Sequence, residues 1–393
     1  MSYKKTMNFI MVGLLGLGFI LPESVSAIPA FARRYKISCS TCHAPIPKLK
    51  PYGLDFAGDG FIMKENEVER DYVTAGDDLL WLNRDFPIGV RFDSYVQYEQ
   101  DNDVDKDLQI PYGLKVLSGG TLYKNIGYYF YFYLYEQGEV AGIEDAYIHF
   151  NDVFGVPLDI MVGQFQTSDP LMKRELRLTY EDYVFYKTRI GDSQTNLTYD
   201  RGLMFVYGIE KTSTDLVALA VNGNGKGEAG EDSKFDDDAF KNFGFRVSQG
   251  IGKYLTVGGY YYQGKEKYLS PAAGDLQNEI TYFGPDINIT VGPIELTAQY
   301  LEREDSNPFF AAQAKSYTSK GTIAELILAP QLDRSRFYIT GLYNKVDSEF
   351  YKYETATLSG TYLLARNLRL VAEFTRDLEI DINRITFGMV SGF

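Results

Sequence analysis

The sequence predicts an all-β fold: a transmembrane antiparallel β-barrel of about 16 strands over residues 86–393, preceded by a small N-terminal segment. Three observations carry this prediction. From about residue 86 onward apolar and polar residues alternate, short and long connections alternate between the resulting strands, and the chain contains 32 Tyr and 26 Phe. Aromatic residues favour strands, and outer-membrane barrels carry them in girdles at both membrane interfaces.

Residues 1–27 have the pattern of a secretory signal peptide. Lys4 and Lys5 precede an apolar stretch from Met7 to Leu21, and Val25-Ser26-Ala27 supplies the small residues of a cleavage site. The apolar stretch is short for a membrane-spanning helix. We therefore expect an exported protein whose mature chain starts at Ile28.

The strand pattern is clear at the C-terminus, where Ile385, Phe387 and Met389 share one face and polar residues take the other. Such alternation predicts strands with one apolar and one polar face. The apolar parity changes once, within segment 278–291, and Gly284-Pro285 at that point predicts a β-bulge.

The connections separate a membrane barrel from a soluble β-sandwich, which is the main alternative. Short turns at one end and long polar loops at the other are typical of outer-membrane barrels. The short links include 118–121, 250–253 and 292–293, and the long ones include 166–201, 223–240, 264–277 and 304–320. We expect loop 166–201 either to fold into the lumen or to lie over it as a solvated lid.

Both cysteines of the chain occur in Cys39-Ser40-Thr41-Cys42-His43, a C-x-x-C-H pattern. This spacing is typical of c-type haem attachment. Two thiols three residues apart can add to the two vinyl groups of one haem, and the histidine that follows can bind the iron as proximal ligand. We predict one covalent c-type haem held by Cys39 and Cys42, with His43 on the iron.

Other readings of the two cysteines have less support. A thioredoxin-like redox pair needs a βαβ setting, and a zinc site needs four ligands, which is every Cys and His in this chain. A plain disulfide between Cys39 and Cys42 stays open as an alternative.

The distal iron ligand is less well defined by the sequence. Met63 is the nearest downstream thioether and is the candidate for this position, whereas His149 is expected to face the barrel lumen. A five-coordinate iron stays open as well.

The haem-binding segment, residues 28–85, is short for a core that encloses a cofactor alone. Its first part carries six basic residues against two acidic ones, whereas the chain as a whole has a net charge of −14. We therefore expect this segment to dock at the mouth of the acidic barrel or to plug it. The overall negative charge argues against nucleic acid as a partner.

The N-terminal residues resemble those of the fused monohaem cytochrome–porins of bacterial outer membranes, a family that includes iron-oxidising members. The resemblance covers about residues 27–63 and rests on Ala27, Pro29, Phe31, Arg33, Cys39, Cys42, His43, Pro47, Leu49, Gly53, Phe56, Gly60 and Phe61. Within this pattern the chain has Lys50 in place of Asn, Tyr52 in place of Phe, and Phe61 in place of the final Tyr.

The resemblance implies an outer-membrane protein whose haem segment lies on the periplasmic side or in the barrel lumen. It would pass electrons between periplasmic carriers and an extracellular donor or acceptor, ferrous iron being one candidate. Such a chain is an electron-transfer protein rather than a classical enzyme. Two alternatives stay open: a diffusion porin with a haem-bearing plug, and a haem enzyme such as a peroxidase.

Overall fold

Sixteen antiparallel strands form a closed barrel in the computed structural model, which describes residues 30–63, 86–100, 103–225, 227–230, 232–270 and 274–393. Each strand pairs with its neighbours in sequence, and β1 closes the barrel against β16 in the register Arg91 with Gly392 to Glu99 with Arg384. The strands are β1 (Ile88–Glu99), β2 (Lys106–Tyr123), β3 (Ile126–Glu136), β4 (Gly142–Phe150), β5 (Leu158–Gln166), β6 (Tyr199–Ile209), β7 (Thr214–Val221), β8 (Asn242–Ile251), β9 (Leu255–Ser270), β10 (Gly274–Val291), β11 (Ile294–Asp305), β12 (Tyr317–Leu328), β13 (Phe337–Ser348), β14 (Lys352–Ala365), β15 (Leu368–Asp377) and β16 (Asn383–Gly392).

Helical structure among the described residues is short. The α-helices are α1 (Ala30–Tyr35), α2 (Cys39–Cys42), α3 (Pro51–Gly58) and α4 (Val184–Lys187), and single 3₁₀ turns occur at Val153–Gly155, Arg174–Leu176, Glu210–Thr212 and Leu332–Arg334. No helix in the described part of the chain is long and apolar enough to span a membrane.

The predicted fold class is confirmed, and β14 illustrates why the alternation identified it. Thr357 and Thr361 on this strand are buried on the lumen side, whereas Leu358 between them is 58% exposed on the outer surface. An apolar outer face and a polar inner face are the arrangement that a lipid-embedded barrel requires.

The barrel has a short-turn end and a long-loop end, as the connections predict. Links such as 124–125, 252–254 and 292–293 define the short-turn end, where β1 begins and β16 finishes. The long-loop end carries the connections 167–198, 222–241 and 306–316.

Three local predictions were wrong. Residues 118–121 form part of β2 instead of a turn, because the chain reverses at Lys124-Asn125. Most of the predicted loop 264–277 belongs to β9 and β10, which pair as far as Ser270 with Gly274. Gly284-Pro285 forms no bulge, since β10 keeps one register with β9 on both sides of these residues.

The parity change in β10 has a different cause. Ile280 and Tyr282 face the lumen and are fully buried, because residues 167–198 fold into the barrel and cover them. We call residues 167–198 the inner loop. Closer to the short-turn end the loop no longer covers the wall, and there the apolar residues of β10 lie on the outer face.

Candidate functional site

The C-x-x-C-H residues lie on a short helix in the N-terminal segment. Ser38 caps α2 by accepting a hydrogen bond from the Ser40 backbone N–H at 3.3 Å, and the His43 N–H donates to the Cys39 carbonyl at 2.9 Å. Cys39 is half-buried, Cys42 is buried, and neither forms a disulfide. Burial raises the pKa of both thiols. The helix thus presents two unpaired thiols on one turn, directly before the histidine.

His43 is held by the backbone that follows it. Its Nδ1–H donates to the Pro47 carbonyl oxygen at 3.0 Å. Burial lowers the pKa of His43, against the opposing effect of hydrogen bonds to the backbone at Pro47 and Lys48. A neutral imidazole whose Nδ1 is anchored to a carbonyl is the usual state of a histidine that binds metal through Nε2.

The helices pack closely behind the motif. Gly53 on α3 touches the Cys42 carbonyl so closely that a Cβ atom at position 53 would overlap the Cys42 oxygen. Phe56 follows on the same helix and meets the Phe31 ring edge-on, with 5.4 Å between ring centroids. Phe31 in turn stacks on Phe61 at 4.9 Å. The packing fixes the motif helix against a small aromatic cluster.

An apolar cavity of about 220 Å³ adjoins the motif, and we call it the inner cavity. It lies between the N-terminal segment, the barrel wall and the inner loop. Its lining includes Phe31, Cys39, Cys42, His43, Leu49, Phe56 and Phe61 from the segment, Leu117, Tyr129, Tyr131 and Tyr147 from the wall, and Lys173, Glu175 and Leu176 from the inner loop. The barrel is therefore part of the surroundings of the motif.

The N-terminal segment docks at the short-turn end of the barrel. Phe61 stacks on Tyr129 of β3 at 4.9 Å, and the Asn151 side chain donates to the Asp59 carbonyl. Gly127 leaves room for the segment, because a Cβ at this position would overlap the Gly60 carbonyl.

Two ion pairs connect the segment to other parts of the short-turn end. Lys48 pairs with Glu295 at 2.8 Å, and Lys50 pairs with Asp333 at 2.5 Å. The basic residues of the segment thus pair with acidic residues of the barrel, as the charge difference in the sequence predicts.

The chemical groups around the motif are of the kinds that covalent haem attachment uses. Two unpaired thiols, an imidazole anchored through Nδ1 and an apolar cavity are what c-type attachment needs. The cavity also contains two cationic side chains, Arg91 and Lys173, and one carboxylate, Glu175.

The other two candidate ligands lie elsewhere. Met63 is half-buried and packs against the cluster of Cys42, Phe56 and Phe61, but it does not line the inner cavity. His149 faces the lumen, as predicted, and is buried near Gly60 with no hydrogen-bond partner among the described residues for either ring nitrogen. The structure brings Cys39, Cys42 and His43 together without either of these side chains.

Several lining residues were not identified from the sequence. Tyr129, Tyr131 and Tyr147 occur on ordinary alternating strands, where the pattern marks a lumen-facing position but not which lumen positions meet the motif. Lys173 lies in the inner loop, in the stretch Met172-Lys173-Arg174-Glu175, whose charges indicate a position near the pore but not contact with the segment.

Comparisons with known proteins show the fold of the barrel. No protein-family model matches the chain, and no curated protein matches it significantly. An anion-selective porin from Comamonas acidovorans is similar in structure with a TM-score of 0.57 at 10% identity, over 79% of this chain and 99% of that chain.

Two further solved structures have the same kind of barrel. OmpF of Salmonella typhi, solved in complex with daunomycin, gives a TM-score of 0.53 at 10% identity, over 78% of this chain and 97% of that one. A loop deletion mutant of OmpT, an outer membrane protein of Vibrio cholerae, gives 0.52 at 14%, over 79% and 99%. At these identities the likeness establishes the fold alone: this chain has the barrel of outer-membrane porins.

Proposed function

We propose that this chain is an outer-membrane electron-transfer protein that binds one c-type haem and connects periplasmic carriers with a donor or acceptor outside the cell. The porin-type barrel supports the location in the outer membrane. The short-turn end, with the N-terminal segment, would face the periplasm, as short turns do in such barrels.

Cys39 and Cys42 would hold the haem covalently, and His43 would be the proximal iron ligand. When bound, a c-type haem supplies a one-electron iron couple whose potential depends on the axial ligands and on burial. Met63 remains a proposal for the distal ligand. It would have to move from its place in the aromatic cluster into the inner cavity.

The observation that carries the proposal is the state of His43 beside the two thiols. The bond from Nδ1 to the Pro47 carbonyl at 3.0 Å fixes one tautomer and leaves Nε2 as the nitrogen for iron. A buried histidine that only packs would also need an acceptor for its N–H, so the two unpaired thiols directly before His43 are what favours iron binding.

The surrounding residues have a second task, which is to keep water and lipid away from the site. The aromatic cluster of the segment covers one side, and Tyr129, Tyr131 and Tyr147 of the barrel wall cover another. A low dielectric around the site favours the less charged state of a redox group and so contributes to its potential.

The test uses the whole protein in sealed liposomes. An impermeant electron donor is added outside, and reduction of an enclosed acceptor is followed by absorbance. We expect reduction with the wild type, and none with Cys39→Ala/Cys42→Ala, which should also lose the haem-stained band on a denaturing gel. Ser40→Ala, at a variable position within the motif, is the matched control and should behave as the wild type.

A diffusion porin is the second candidate, and the structural likeness to porins favours it. In that case the liposomes would release enclosed sugars, and the acceptor would stay oxidised in wild type and variant alike. Turnover of peroxide by the haem-stained protein would instead indicate a haem enzyme.

A further inference from the structure

We infer that the inner loop closes the bore to hydrophilic solutes, so that the barrel is a partition and not an open pore. The inference goes beyond electron transfer, because it concerns the permeability of the barrel and not the haem. It rests on anchors all round the bore, on the apolar filling between them, and on the separation of two cavities.

The first anchors lie on β9 and β11. Glu266 accepts hydrogen bonds from the backbone N–H groups of Gln194 at 2.8 Å and Thr195 at 2.7 Å. Arg303 donates to the carbonyls of Thr188 at 3.1 Å and Thr195 at 2.9 Å. Both wall residues are buried, and Arg303 is only 1% exposed. This side of the loop is therefore fixed by buried charged groups of the wall.

The adjoining part of the wall, β13 to β15, holds the loop in the same way. Glu373 of β15 accepts from the backbone N–H groups of Tyr180 at 2.7 Å and Glu181 at 2.9 Å. Asn344 of β13 donates to the Asp182 carbonyl at 2.9 Å. Charge-assisted bonds to backbone groups are stronger than neutral ones, so these contacts fix the path of the loop itself.

A third group of anchors comes from β3, β4 and β6. Glu175 accepts hydrogen bonds from the hydroxyls of Tyr133 at 2.5 Å and Tyr199 at 3.3 Å. Lys173 pairs with Asp145 of β4 at 3.4 Å. With the contacts on β9, β11, β13 and β15, the loop is held around the whole circumference.

Apolar side chains fill the space between these anchors. Leu178, Tyr186 and Leu197 of the inner loop are fully buried. Tyr186 and Leu197 belong to a cluster that includes Ile280 and Tyr282 of the wall. A hydrated ion would have to lose its water to cross such a contact, which is costly in an apolar setting.

The loop also divides the lumen. An outer cavity of about 1140 Å³ lies on the long-loop side and is lined by charged residues and tyrosines such as Arg177 and Tyr112. The inner cavity lies on the other side. Glu175 of the inner loop lines both cavities, which places this part of the loop between them.

The experiment must distinguish closure by the inner loop from closure by the N-terminal segment, which occupies the other end of the bore. Conductance is measured in planar lipid bilayers for four proteins. These are the wild type, Gly127→Leu, Gly341→Leu, and Gly127→Leu combined with replacement of residues 170–196 by a three-glycine link. Leucine at 127 overlaps the Gly60 carbonyl and displaces the segment, whereas position 341 has open space and serves as the control.

We expect wild type, Gly127→Leu and Gly341→Leu to stay at the bilayer baseline, and the loop-replacement variant to show resolved single-channel steps. Conductance by the wild type, or by Gly127→Leu alone, would overturn the inference. So would a loop-replacement barrel that folds, as judged by its heat-modifiable gel mobility, and stays closed. If that variant does not fold, the first two measurements still decide. Haem staining tests the proposed electron-transfer function and conductance tests the closure of the bore. The two measurements are independent, so either proposal can fail without the other.

Discussion

Two segments enter the lumen from opposite ends, and different chemistry holds them. The N-terminal segment is seated by aromatic stacking, by glycines that let its backbone approach the wall, and by two partly exposed ion pairs. The inner loop is held by buried charges, including Arg303, Glu266 and Glu373. The difference indicates that the loop is part of the barrel, whereas the segment is a separate unit placed against it.

The physical reason lies in what each segment can bury. A buried charge must be paired and hydrogen-bonded, so the inner loop and the wall residues that hold it can only be satisfied together. The described N-terminal segment has a small aromatic core, and segments of this size commonly depend on a cofactor or a partner surface. Four predictions test the contrast, beginning with the largest expected effect.

Loss of haem attachment should loosen the N-terminal segment and leave the inner loop unchanged. We expect Cys39→Ala/Cys42→Ala to lose the haem-stained band completely and to be cleaved rapidly by trypsin at Arg33 and Arg34. The inner loop, whose Arg174 and Arg177 are also trypsin sites, should stay protected. Fragments are identified by mass spectrometry. Equal protection of Arg33 and Arg34 in variant and wild type would mean that the segment needs no haem to stay docked.

Removal of Arg303 should release the inner loop from one side of the wall. Arg303 Nε and Asp305 lie 2.7 Å apart and both are 1% exposed, so Arg303→Met leaves a buried carboxylate without its partner. We expect a loss of about 3–5 kcal/mol in the free energy of unfolding, measured by urea titration in detergent.

Two further variants check this assignment. Arg303→Met/Asp305→Leu removes both charges and should be less destabilised than Arg303→Met. Lys315→Met breaks an exposed pair with Glu349 and should be indistinguishable from the wild type. A double variant that is as unstable as the single one would show that the loop carbonyls, and not Asp305, dominate the effect.

The sequence predicted the barrel well because its evidence is repeated on every strand. Alternation on a strand such as β14 reports directly which face meets lipid, and sixteen strands repeat this signal. The motif at Cys39, Cys42 and His43 was equally visible, since adjacent residues carry it. Their proximity to Tyr129 or Lys173 depends on how the N-terminal segment docks on the barrel, and no local sequence pattern predicts that.

The incorrect prediction of a turn at 118–121 has a physical reason: a glycine can be required by a tertiary neighbour instead of by a turn. Gly119-Gly120 reads as a turn, yet these residues lie within β2. A Cβ at position 119 would press on the rings of Phe31 and Phe61, and one at position 120 would overlap Arg34. These glycines make room for the N-terminal segment. The error at Gly284-Pro285 is similar, because the parity change there reflects cover by the inner loop.

Acid should weaken the anchoring of the inner loop. Burial alone would raise the pKa of Glu175, but the nearby charges of Lys115 and Arg177 outweigh burial and lower it to about 2. Because the folded pKa lies below the ordinary value of about 4.3, the carboxylate stabilises the loop above that pH and loses this effect as pH falls toward 2. The contribution is at most about 3 kcal/mol.

This pH dependence is measured as the urea midpoint of the wild type and of Glu175→Gln between pH 5 and pH 2. The glutamine variant should lack the part of the decline that Glu175 contributes, so the two curves should converge at low pH. Parallel curves over the whole range would assign the acid sensitivity to other carboxylates.

The smallest effect is expected at the ion pair between Lys48 and Glu295, which lies at the edge of the docked segment. Lys48 Nζ and Glu295 Oε1 are 2.8 Å apart, and their side chains are 19% and 28% exposed. A partly solvated pair of this kind contributes up to about 1 kcal/mol and is screened by salt. Lys48→Ala should therefore raise the rate of tryptic cleavage at Arg33 severalfold in low salt and much less in 1 M NaCl.

Lys36→Ala is the control. It removes an exposed charge of the same segment, for which the described residues include no ion pair, and should leave the rate of cleavage unchanged. If Lys48→Ala acts equally at both salt concentrations, the lysine contributes through packing of its alkyl chain and not through its charge.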